Sequence, residues 1–109
     1  MSVSTQETEL PVRKGVIAQR EGLKVVRLVV KAGGTVPEHH ANVDVIATVV
    51  RGKGRFFVEG QPRAIAAGDV IDMAPAVPHA IEADEELELV VVHARLNGGA
   101  GAPAVACGA

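Results

Sequence analysis

Apolar and polar residues alternate with a period of two along most of the chain, and nowhere with the 3.6-residue period of an amphipathic helix. Val26, Leu28 and Val30 share one parity against Val25, Arg27, Val29 and Lys31, the pattern of a strand near a sheet edge. Val43–Val50 is rich in Val, Ile and Thr, side chains that favour pleated, half-buried surfaces. Arg55–Glu59, Arg63–Ala66 and Val70–Met73 read as short strands, and Leu87–Leu96 as the longest regular one. Turn-forming residues separate them: Gly33-Gly34, Gly52-Lys53-Gly54, Gly60-Gln61-Pro62, Gly68-Asp69 and the segment from Pro75 to Pro78. No capped apolar stretch is long enough to start a helix. Short strands at this spacing predict an all-β fold, a single antiparallel sandwich or barrel.

The pattern fades at both ends. Residues 1–12 read as a polar, flexible arm, and residues 97–109 as a Gly/Ala-rich tail with too little side chain to pack, leaving 13–96 for the barrel. A chain of 109 residues holds one core. Its 48% hydrophobic and 22% charged residues form an ordinary globular mixture. A net charge of −2 argues against a nucleic-acid footprint. The apolar runs are too short to span a membrane, and the N-terminus lacks the basic start and apolar stretch of a signal peptide. The single cysteine, Cys107, cannot form an internal disulfide, so a reducing cytoplasm is the expected location. Its place in the tail gives it none of the organised electropositive surroundings of a reactive thiol. With no Trp or Tyr, and only Phe56 and Phe57 as aromatics, tyrosine acid chemistry and aromatic stacking platforms are excluded.

The four histidines, His39, His40, His79 and His93, carry the candidate chemistry. They lie on three segments that a small barrel can bring together, and metal sites are built from imidazoles and carboxylates that converge in this way. Each has an ordinary structural alternative, a surface or hydrogen-bonded imidazole. Parity sharpens one of them. If Glu86 and Glu88 face water, then Leu87, Leu89, Val91 and His93 face inward. Arg55 and Arg63 are candidates for clamping an anion, although a solvated strand face explains them better. Glu82, Asp84, Glu85, Glu86 and Glu88 read as a soluble turn and strand edge.

Gly68-Asp69-Val70-Ile71-Asp72-Met73-Ala74-Pro75-Ala76-Val77-Pro78-His79 resembles the second motif of the small single-domain cupins, and Val50-Arg51-Gly52-Lys53-Gly54-Arg55-Phe56 the glycine turn between their two motifs. Ala76 stands where that family usually has glycine. The resemblance implies a jelly-roll antiparallel barrel with a small-molecule pocket at one mouth. The first motif is degenerate. Counting back from Gly52 places the family's glutamate at Val45, its second histidine at Ala41 and its first at His39. The resemblance therefore carries only His39 and His79 as metal ligands.

Three arrangements stay open at this point. A one-residue bulge can turn Glu38, His40 and Asp44 inward to join His79. His93 can join His39 and His79 in a three-imidazole site suited to Fe, Zn or Cu. Or the pocket binds no metal, since incomplete ligand sets bind weakly. For the first two, resemblance implies a divalent transition metal (Fe, Zn, Ni, Mn or Cu) and a dioxygenase- or isomerase-like reaction on a small organic acid or ketone. For the third, Ala41, Asp44, Val45, Leu89 and Val91 are the expected pocket residues of a ligand-binding or structural module. An exposed edge strand and the N-terminal arm make a homodimer the expected assembly.

Overall fold

In the computed structural model, which describes residues 11–95, every regular element is a strand. The nine strands are β1 (Val12–Arg20), β2 (Leu23–Val30), β3 (Thr35–His39), β4 (Asp44–Arg51), β5 (Lys53–Val58), β6 (Gln61–Ala66), β7 (Val70–Met73), β8 (His79–Ala83) and β9 (Leu87–Ala94). They form two antiparallel sheets, ordered β1-β2-β9-β4-β7 and β3-β8-β5-β6. The fold is an antiparallel barrel of jelly-roll type. Among the described residues no helix is long and apolar enough to cross a membrane.

Alternation explains why the sheets close on each other. Val26, Leu28 and Val30 of β2, Val45, Ala47 and Val49 of β4, and Leu87 and Leu89 of β9 are buried from one sheet. Phe56, Ile65, Ile81 and Ala83 meet all of these except Val26 from the other sheet in a single cluster. Removing this apolar surface from water drives the sheets together. Phe56, Leu87 and Leu89 are among its largest fully buried side chains.

All strands expected from the alternation are present, with ends shifted by a few residues. β1, β3 and β8 have no counterpart in that reading, although β8 begins directly after the turn segment that ends at Pro78. All of β1 beyond Val12 is exposed, so its apolar residues carry no periodic signal. It is held by its ladder with β2, interrupted by a bulge between Val16 and Ala18. Residues 11 and 12, assigned to the arm, join the structure: the Lys31 N–H donates to the Pro11 carbonyl at 2.9 Å, and Val12 opens β1. The rest of the arm, the tail and Cys107 lie outside the described residues. β1 is the edge strand and β2 lies next to it, in keeping with a pattern read as near a sheet edge. β3 contains Pro37, which removes a ladder donor and is tolerated because β3 is an edge strand.

The acidic segment also differs from expectation. Glu88 lies on β9, in the middle of its sheet, and pairs with Arg27 at 3.1 Å and Arg51 at 3.0 Å. Arg55 is held by Glu82 at 2.7 Å and Asp84 at 3.5 Å, which removes it as an anion clamp. Arg63 is exposed on the edge strand β6.

Candidate functional site

Between the sheets a cavity of about 200 Å³ opens at one end of the barrel. His39, His79 and His93 line it, with Val36, Val45, Phe56, Met73, Ile81 and Val91 among its apolar walls. His39 and His79 face each other across the β3–β8 pairing, with ring centroids 4.3 Å apart in an edge-on arrangement. His79 is only 7% exposed and lies over Phe56, with centroids 6.0 Å apart. His93 comes from the other sheet, on β9 between Lys24 of β2 and Val45 of β4.

The backbone fixes the tautomers of the His39–His79 pair. The Nδ1 atoms of His39 and His79 lie 2.9 Å from the carbonyls of Pro37 and Val77, each two residues back in the chain. A carbonyl can only accept, so both Nδ1 atoms carry hydrogen, and in the neutral ring that leaves the lone pair on Nε2. An imidazole whose second nitrogen is held in this way is oriented as a metal ligand or as a hydrogen-bond acceptor. His93 is different: its Nδ1 is buried and has no hydrogen-bond partner. An unsatisfied buried polar atom is costly unless something else in the cavity meets it.

Burial is the main cause that lowers the pKa of His79; the Val77 hydrogen bond opposes it, and the charges of His39 and His40 add to it. Burial also leads for His93, followed by Lys24, His79, Lys14 and His39. Both rings are thus biased toward the neutral form, which has a free lone pair.

The remaining expected site residues fall in different places. Val45 and Val91 line the cavity. Leu89 is buried in the core, and Ala41 packs against the core while its carbonyl accepts the Ala76 N–H at 2.7 Å. His40 is exposed, and Asp44 is half-buried opposite Ala94. Neither lines the cavity. β3 does carry an irregularity between Val36 and His39, but it brings those two residues to the cavity together. Glu38 lines a separate open depression with Phe57, Gly60, Ala80 and Glu82. The inward set of Glu38, His40 and Asp44 is therefore not formed, because the extra residues of the bulge leave His39, not His40, in the inward phase. Among the described residues no three His, Cys, Asp or Glu side chains converge closely enough to enclose a metal ion.

Sequence reading missed Lys14 and Lys24, which also line the cavity. Lys24 shares the inward parity of Val26 and Leu28, so extending that alternation by one step would have found it. Lys14 had no such signal, because β1 shows no alternation.

A family model for the cupin domain matches residues 26–94. The chain belongs to the cupin family. No curated protein matches it significantly. Among solved structures, this cupin is similar to a predicted oxalate decarboxylase from Thermotoga maritima, at 26% identity and a TM-score of 0.72 over 78% of this chain and 81% of that one. KdgF from Halomonas sp. is 22% identical, with a TM-score of 0.71 over 81% of this chain and 83% of its own. A salicylate 1,2-dioxygenase from Pseudaminobacter salicylatoxidans is 13% identical, with a TM-score of 0.76, over 85% of this chain but 30% of that one. His93 stands directly opposite Val45, the position that the motif count from Gly52 assigns to the family's glutamate, on the neighbouring strand.

Proposed function

We propose that this cupin is a small-molecule enzyme of dioxygenase or isomerase type, acting on a small organic acid or ketone, with a divalent transition metal held by His39 and His79. The observation that carries this reading is the pair of Nδ1–carbonyl hydrogen bonds, which leaves two oriented Nε2 donors on one cavity. His93, with its orphaned Nδ1, lines the same cavity but does not converge with the pair closely enough to enclose the ion. A bound divalent metal there supplies Lewis-acid or redox chemistry. The chain's own contributions are separate. Phe56, Met73 and Ile81 keep water from the inner wall, and the Pro37 and Val77 carbonyls hold two rings in one tautomer. The similarity to a predicted oxalate decarboxylase supports an organic acid as the ligand class.

A second, metal-free reading is favoured by Ala41 and Val45, which put carbon where the family has ligands. His39 and His79 then act as hydrogen-bond acceptors in a binding pocket. Calorimetric titration of chelator-treated protein with Zn(II) and Mn(II) separates the two. The metal reading expects one ion per chain and loss of binding in His39→Ala and in His79→Ala. Absence of binding in the wild type leaves the metal-free reading.

The reading also places the protein in the cytoplasm and pairs it with a second copy. The outer face of the five-stranded sheet supports that pairing: Ile46, Val50 and Val70 are 42%, 48% and 51% exposed there.

A further inference from the structure

The cavity contains two full positive charges and no negative one. Lys14 and Lys24 line it, and no Asp or Glu does. Neither lysine has a carboxylate partner among the described residues. Lys24 is also the β2 neighbour of His93, and both lysines are close enough to weigh on His93 electrostatically. A second cleft of about 170 Å³ shares Lys24 and His93 with the cavity and adds Arg20 and Arg95. Again no acidic residue lines it.

This is a local arrangement and not a property of the whole chain, whose net charge is −2. The ion-paired carboxylate of Glu88 lies five residues back along β9 from His93, roughly 16 Å at the rise of a strand. Glu21, Glu38 and Asp44 line neither basic cavity. Like charges brought together without counter-charge repel one another, and an anion relieves that repulsion. Below the charged rim the wall is apolar, with Val26, Leu28, Phe56, Met73 and Ile81. A pocket with a cationic mouth and an apolar interior fits a ligand that is charged at one end only.

We propose that Lys14 and Lys24, with Arg20 and Arg95 outside them, form an anion subsite that selects a small carboxylate carrying an apolar chain. It deepens the reading of the cavity as a small-molecule site, but it does not need the metal. Ammonium groups meet the carboxylate by charge-assisted hydrogen bonds, and the chain fills the space toward Phe56 and Met73.

The test is calorimetry at low salt on the full, chelator-treated chain, with pentanoate, pentanamide and inorganic phosphate as probes. Pentanoate and pentanamide match in shape and differ in charge. The subsite predicts that pentanoate binds about tenfold or more tightly than pentanamide, the range of a charged hydrogen bond. It also predicts that the Lys14→Gln/Lys24→Gln double variant abolishes this preference while still binding pentanamide. Arg63→Gln, at an exposed cation outside both cavities, retains the preference, and so does the wild type with Zn(II) added back, which separates the subsite from general surface charge and from the proposed metal pair. Equal binding of the two probes, or no binding of pentanoate, overturns the proposal. So does a preference that survives in the lysine variant, or one that appears only when Zn(II) is added. Phosphate binding more tightly than pentanoate overturns the carboxylate assignment.

Discussion

Ala76 has φ 70°, in the left-handed region, within the proline-rich turn that delivers His79. A Cβ in that region crowds the neighbouring carbonyl and costs about 1–2 kcal/mol, which glycine avoids. The alanine therefore holds a conformation that glycine, the family's usual residue there, adopts at less cost. Ala76→Gly is expected to raise stability by about 1 kcal/mol in urea unfolding, after allowing for glycine's greater unfolded freedom. A loss of stability would contradict the assignment of strain. The histidines set the pH response. His79 and His93 are held below the ordinary value of 6.5, chiefly by burial. In the unfolded chain they take up protons as the pH falls through about 6.5, while the folded chain resists. Stability of chelator-treated protein is thus fully present above that pH and declines below it. Urea unfolding between about pH 5 and 8 checks this, and a flat profile would contradict it.

The glycine turn between β4 and β5 is fixed by space as much as by conformation. A Cβ on Gly54 would collide with the Glu82 carbonyl oxygen and press on Leu87, because β5 runs close to β8 and the core there. Gly54→Ala is expected to cost about 1–3 kcal/mol, the range for overfilling a packed site. Gly15→Ala on β1, where nothing lies within 4 Å, is the control and is expected to be near neutral. These two variants also show which elements could be read from the chain. β2 and β9 were legible from alternation, β4 from its Val, Ile and Thr content, and β7 as a short apolar run between turns. β1 did not, because it buries almost nothing, and Pro37 disguised β3. The same limits governed the site. His93 and Val91 were legible from the parity of β9, and Val45 from its place in the first motif. Lys14 was not, and the phase of His39 depended on a bulge that no residue pattern specifies.

At the scale of the whole molecule, the two faces of the five-stranded sheet differ from a simple inside and outside. Its inner face lines the cavity, and its outer face sets Ile46 beside Val92 and Val25, with Val70 one row further along. Exposed apolar surface of this kind marks association sites. Light scattering is expected to give a dimer for the wild type and a shift toward monomer for Ile46→Glu, with unchanged circular dichroism. A wild-type monomer would contradict that use of the face. The cavity itself is assembled from both sheets, with the β3–β8 pair contributing His39 and His79 and β9 contributing His93. The most direct test of this central arrangement is metal content by mass spectrometry of untagged protein, since a tag would add histidines. The account predicts close to one divalent transition metal per chain in the wild type, lost in His39→Ala and in His79→Ala. No metal in the wild type, even after incubation with Fe(II), Mn(II), Ni(II) and Zn(II), would contradict it.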